Sequence, residues 1–222
     1  MLSVLILIFS VNSPASAAGS DAISAANTLY SYGLFKGTGV NSDGTPIYDL
    51  DRVPTRQEAI IMLVRLLGKE GEALSGSFSH PFIDVDTWAS KYVGYAYQNR
   101  IANGIGENVF GASNNAEANM YITFVLRSLG YSDSSGDFSW SNPYDLADSI
   151  GLTQGRYNAS TTKFLREDVA IISKNALGCG IKNNGNTLLE YLTLSGVVKK
   201  DAASEKPAVE KPLPPTEKKL TA

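Results

Sequence analysis

Three times along this chain an apolar, helix-forming run closes on leucine and glycine. The runs are Pro54 to Gly68 (PTRQEAIIMLVRLLG), Asn115 to Gly130 (NAEANMYITFVLRSLG) and Leu165 to Gly178 (LREDVAIISKNALG). Ahead of each lies an aromatic, half-apolar stretch and a loop rich in glycine and asparagine. A recurrence every roughly 50 to 60 residues implies a fold assembled from copies of one unit. No single unit can bury its own long helix, so the copies are expected to fold together.

The units are expected at 19–70, 78–131 and 136–180, followed by a C-terminal extension at 181–200. In unit one, Asp21 to Tyr32 carry apolar residues at Ile23, Ala26, Tyr30 and, less regularly, Leu29, which suits a helix with one buried face. Gly33 and Gly37-Thr38-Gly39 end it, and a polar loop leads to a second helix, Pro54 to Leu67. That helix is apolar nearly all round, from Ile60 through Leu67, and so belongs at the centre of the molecule. Unit two repeats the plan, with a helix carrying Trp88, Tyr92, Val93 and Ala96, a loop Ile101 to Gly106, and a long helix from about Ala116 to Leu129. Unit three places its helices at Tyr144 to Ile150 and Leu165 to Leu177. The expected fold is mainly α: a central three-helix bundle decorated by the amphipathic first helices and the loops.

Composition narrows the function. Charged residues are 18% and apolar residues 43% of the chain, enough for a core beneath an uncharged polar surface. A net charge of −3 argues against nucleic-acid binding. The lone cysteine, Cys179, precludes an internal disulfide and reads as a small core residue at a helix end. With His80 the only histidine, no nucleophile–base set is visible. The neighbouring carboxylates Asp84/Asp86 and Glu167/Asp168 do not converge across a cleft. The chain therefore reads as a non-enzyme without a cofactor. Asn41 to Gly44 looks like the start of a calcium loop, but Pro46 stands where glycine is needed and no bidentate glutamate follows, so no metal is expected.

Met1 to Ala18 (1–18) read as a secretory signal. Leu2 to Val11 are mostly apolar, the run is too short to span a bilayer, and Ala15-Ser16-Ala17 gives a cleavage pattern, although no Lys or Arg precedes the run. No membrane span is expected after its removal. Export with one cysteine suits a Gram-positive cell surface. The Pro/Lys/Glu-rich end, 201–222, reads as a disordered, solvated spacer.

One constellation points to recognition. Thr55 at an N-cap and Glu58 three residues later make a capping box. That explains neither Arg56 nor Arg166, which occupies the same offset in unit three. A first-turn arginine faces the positive end of the helix dipole. The residues alone leave two readings open: grips for an anion, aided by free helix amides, or surface arginines in ordinary ion pairs.

The chain resembles the S-layer homology (SLH) domains of bacterial surface proteins, in a tandem of three. Phe82, Asp84, Val85, Trp88 and Ala89 match that family's F-x-D-V-x-x-x-W-A start. Gly104 and Gly106 match its loop glycines, as do Gly37 and Gly39. Thr55-Arg56-Gln57-Glu58 matches T-R-A-E, with Leu63-Val64-Arg65-Leu66-Leu67-Gly68 after it. The resemblance implies a pseudo-threefold spindle that binds secondary cell-wall polysaccharide non-covalently, often through a pyruvate ketal on N-acetylmannosamine, at the bacterial cell surface. It implies Arg56 and Arg166 as carboxylate grips, with Asp84, Trp88 and the four loop glycines shaping grooves between units. Unit two departs from the pattern: it has no arginine at the motif, which reads Asn114-Asn115-Ala116-Glu117. Counting back from Gly130 puts Glu117 and Ala118 opposite Thr55 and Arg56; a capping box from Asn114 to Glu117 would need an extra helical turn. Unit three has Leu165 for the threonine, and unit one lacks the aromatic start. These departures keep an alternative alive, a degenerate SLH scaffold that contacts other surface-layer proteins without binding glycan.

Overall fold

The computed structural model describes residues 19–199; the expected signal and the Pro/Lys/Glu-rich end lie outside the described residues. Eight helices and one small hairpin are present among them. In chain order these are α1 (Ser20–Ser31), β1 (Gly39–Val40), β2 (Pro46–Ile47), α2 (Arg56–Leu66), α3 (Glu70–Ser75), α4 (Thr87–Gln98), α5 (Ala118–Ser128), α6 (Tyr144–Ser149), α7 (Arg166–Ala176) and α8 (Leu188–Leu194). The description mainly α holds. The hairpin, α3 and α8 were not anticipated from the sequence.

The three long helices are buried as their apolar runs require. Eight of the eleven residues of α2 are buried. α2, α5 and α7 touch one another in all three pairings. Tyr121 of α5 is fully buried, and its hydroxyl lies 2.7 Å from Ser173 Oγ of α7, so the one large polar group at that contact is satisfied. Each long helix also carries an outer helix: α4 packs on α2, α6 on α5, and α1 on α7. Both α4 and α6 thus sit on the long helix that precedes them in the chain. For α1 the partner is the last long helix, so the two ends of the helical series meet.

Backbone bonds between units reinforce this packing. The first two amides of α2, Arg56 N and Gln57 N, donate to Asn114 O and Ala112 O at 2.8 and 3.2 Å, and Ala116 N returns a bond to Pro54 O. The first two amides of α7 are used in the same way: Arg166 N donates to Arg52 O and Glu167 N to Leu50 O. The stretch leading into one long helix therefore satisfies helix-start donors of another, groups that lack partners within their own helix. At α5 no such segment is present. The amides of Ala118, Asn119 and Met120 have no partner among the described residues, and Glu117 makes no side-chain cap. The helix starts at Ala118, so the ungapped alignment of unit two is the one the chain adopts.

Candidate functional site

Thr55 and Glu58 open α2 as a capping box: Glu58 N donates to Thr55 Oγ1, and Thr55 N donates to Glu58 Oε2 at 2.7 Å. Glu58 also accepts two bonds from Arg52, at 2.9 and 2.8 Å. At α7 the box is one-sided. Leu165 N donates to Asp168 Oδ2 at 2.7 Å, and leucine has no oxygen to answer with.

The caps aim the two arginines, whose surroundings differ. Arg56 is partly buried, with its guanidinium carbon 4.8 Å from the Phe110 ring centroid and 4.9 Å from that of Phe124. One nitrogen donates to Asn103 O at 2.9 Å, whereas its buried Nε has no partner. Arg56 makes no ion pair among the described residues. Burial, with Arg127 nearby, pushes the guanidinium down to about 10, so it stays charged at neutral pH. A cation held between aromatic faces, with Glu117 and Asp84 near but not ion-paired to it, is a receptive partner for an anion.

Arg166 is only 4% exposed and its groups are spent inside the molecule. Its Nε donates to Tyr48 O at 2.9 Å, and a terminal nitrogen meets Met62 Sδ at 3.5 Å. Phe35 covers it, with the ring centroid 5.8 Å away. Burial and the nearby Arg52 push its guanidinium below the usual value.

Arg56 opens on a groove of about 540 Å³ between the start of α2, the 103–105 loop, one face of α5 and Trp140. Asn119, Thr123 and Arg127 fall at i, i+4 and i+8 on α5, so one helical stripe forms a wall. Trp140 is 62% exposed. Arg127 is bidentate on Asp133, at 2.9 and 2.6 Å, and reaches Ile101 O at 3.3 Å, so its charge is already met. Thr123 Oγ1 is buried without a partner. Two partnerless buried side-chain atoms, Arg56 Nε and Thr123 Oγ1, therefore belong to residues lining one groove, as do Asn119 and Met120, two of the three residues with unpartnered amides at the α5 start.

The other expected site residues are placed as follows. Asp84 accepts three backbone bonds, from Phe110, Gly111 and Ala112, at 2.7 to 2.9 Å. Burial pushes its carboxyl up, but these amides outweigh that and hold it below the usual range. Asp84 thus fixes the turn at 110–114 that itself bonds the start of α2. Trp88, at the start of α4, is 56% exposed but does not line the groove. Gly104 does line it, and a Cβ there would lie 2.6 Å from Val109 O and from the Phe82 ring, so only glycine lets the loop close this tightly. Gly106 faces Val109 across an isolated bridge. Gly39 belongs to the hairpin, where it pairs with Ile47, and Gly37 lies just ahead of it. They are remote in sequence from the groove loop and do not line it. Sequence reasoning did not single out Asn103, Thr123 or Trp140. Trp140 stood in the aromatic opening of unit three; Thr123 carried a signal only by comparison with the other long helices.

Two residue types that elsewhere suggest chemistry are structural here. Burial pushes the Cys179 thiol up to about 11. His80 accepts from Phe82 N at 3.1 Å and lies 3.0 Å from Ser90 Oγ, tying down the turn before α4.

Residues 81–116 match the S-layer homology domain. That stretch holds Asp84, Trp88, α4, the groove loop and the segment bonded to α2. The chain is 29% identical over 185 residues to a cell surface protein of Thermoanaerobacter kivui, covering 80% of this chain and 23% of that protein. It is 30% identical over 93 residues to the middle cell wall protein of Brevibacillus brevis, covering 41% of this chain and 9% of that protein. The chain therefore spans less than a quarter of the length of these curated relatives. No described helix is long and apolar enough to cross a membrane.

Proposed function

We propose that this chain is a cell-wall anchoring module, without chemistry of its own, that holds an acidic wall glycan in the Arg56 groove. The observation that carries this reading is the groove itself: a guanidinium with no carboxylate partner, flanked by two phenyl rings and facing an exposed indole. A sugar carboxylate would take the charge, and Trp140 would offer an apolar face to the pyranose ring. The S-layer homology match and the surface and wall proteins among the relatives support location at a bacterial cell surface. The anion that the family resemblance brings is a pyruvate ketal on N-acetylmannosamine of a secondary cell-wall polysaccharide. The pairwise contacts of α2, α5 and α7, each with an outer helix from the next unit, support the pseudo-threefold spindle of three repeats.

Arg166 favours a different role on its own side of the molecule. Its bonds to Tyr48 and Met62 make it part of the scaffold rather than a second grip. One groove, not two, then carries the binding. The test is co-sedimentation of the purified 19–222 protein with Brevibacillus brevis and Thermoanaerobacter kivui sacculi, intact or stripped of polysaccharide by hydrofluoric acid. Pelleting only with intact sacculi is expected. Equal pelleting with stripped sacculi, or none with either, would remove the glycan reading and leave the scaffold.

A further inference from the structure

The Thr123 hydroxyl is an unexplained polar group in an otherwise apolar helix. Counting back seven residues from the closing glycines Gly130, Gly68 and Gly178 gives Thr123 in α5, Ile61 in α2 and Ile171 in α7. Two of three equivalent positions are isoleucine, and the third carries an oxygen. Thr123 is 4% exposed, and its Oγ1 has no partner, not even the Asn119 carbonyl one turn back that helical threonines often use. A buried, unpartnered hydroxyl weakens a fold.

The neighbouring position separates the two arginine sides in the same way. Six residues before their glycines stand Phe124 and Met62. Arg56 lies on Phe124 beside the groove, and Arg166 lies against Met62 in a closed interior. The hydroxyl thus occurs only beside the arginine that lines the groove, and an aliphatic side chain stands at the matching position on the side of the buried arginine. Threonine in a helix has two accessible χ1 rotamers, so a single rotation exchanges its methyl and hydroxyl faces.

We infer that Thr123 is a specificity-determining contact of the Arg56 groove, left without a partner in the free protein and hydrogen-bonded by a ligand hydroxyl or carbonyl next to the anionic group on Arg56. The inference rests on the glycan-binding reading of that groove. It assigns the ligand a second polar group, deeper in the groove than the carboxylate, and so distinguishes a hydroxylated acidic sugar from a simple carboxylate.

The experiment compares wild type, Thr123→Val and Thr123→Ser for pelleting isotherms on intact Brevibacillus brevis and Thermoanaerobacter kivui sacculi, and for melting temperature without ligand. Thr123→Val is expected to weaken pelleting about three- to tenfold, the range of one net hydrogen bond. The same variant is expected to melt about 2–4 °C higher, because an unpaired buried hydroxyl has gone. Thr123→Ser is expected to bind within about twofold of wild type, since it keeps the oxygen. Thr123→Val binding as wild type would overturn the inference and leave the anchor reading intact. A Val variant that melts earlier would show the hydroxyl already satisfied in the free protein and overturn it equally. Wild type that fails to pellet on either wall would remove the anchor reading and this inference with it.

Discussion

Arg56 and Arg166 show how one sequence offset leads to two environments. Both open a long helix, yet Arg56 faces a groove while Arg166 donates to a carbonyl 118 residues away in the chain. Truncating Arg166 to alanine leaves Tyr48 O unpaired in the interior. It should lower stability by about 1–3 kcal/mol, as read from urea unfolding, and leave wall pelleting unchanged while the protein is folded. Arg56→Lys keeps the charge but loses the planar contact with Phe110 and Phe124, and should weaken pelleting about tenfold. Cys179 gives a third expectation at this scale. With its thiol near 11, it should react slowly with an aromatic disulfide reagent at pH 8 and quickly once urea exposes it. The offset of the two arginines was legible in the sequence. What fills the space around each was not, because Tyr48 and Met62 reach Arg166 only through long-range packing. Thr123 was hidden for the opposite reason: a threonine fits an apolar helical pattern, and only the folded chain shows that its oxygen has no partner.

Among the elements, the long helices were legible because apolar side chains cover most of their circumference. The helices α3 and α8 are six and seven residues long, too short for periodicity to register. For α8 a signal was present: Thr187 and Glu190 form a capping box like that of Thr55 and Glu58. The helix α3 starts with Glu70, which draws three elements together. Its carboxylate accepts from Lys36 Nζ at 2.5 Å, Arg65 Nε at 2.8 Å and Tyr92 hydroxyl at 2.8 Å. Burial pushes Glu70 up, but these three bonds outweigh it and hold the carboxyl at about 2 against an ordinary 4.5. The folded value lies below the unfolded one. The stabilisation is therefore complete above about pH 4.5 and is lost as pH falls through about 2. Thermal melts between pH 5 and 2 should show this loss. Glu70→Gln should lower the melting temperature at pH 6 and flatten the acid dependence, whereas an unchanged acid slope would show that other carboxylates set it.

At the scale of the whole molecule, the first and last parts of the helical series are joined by α1 on α7. The sequence pattern pointed to long, centrally buried helices, but periodicity does not say which outer helix rests on which long helix. For α1 on α7 that choice is made by packing between residues more than a hundred positions apart. Leu29 of α1 is fully buried, so Leu29→Ala should cost about 2–5 kcal/mol. Because the units share one core, the loss should shift a single transition, followed alike by tryptophan fluorescence from Trp88 and Trp140 and by helical circular dichroism. Two separated transitions would mean that the first unit melts alone. The groove is where this packing becomes useful: α2 supplies Arg56, the loop after α4 supplies Asn103 and Gly104, and α5 and the segment carrying Trp140 complete it. The most direct measurement is therefore pelleting of Arg56→Ala beside Arg166→Ala on intact sacculi, each first shown to be folded. Loss of pelleting by Arg56→Ala with retention by Arg166→Ala is the expected result. Arg56→Ala pelleting as wild type would contradict the assignment of the groove as the wall-binding site.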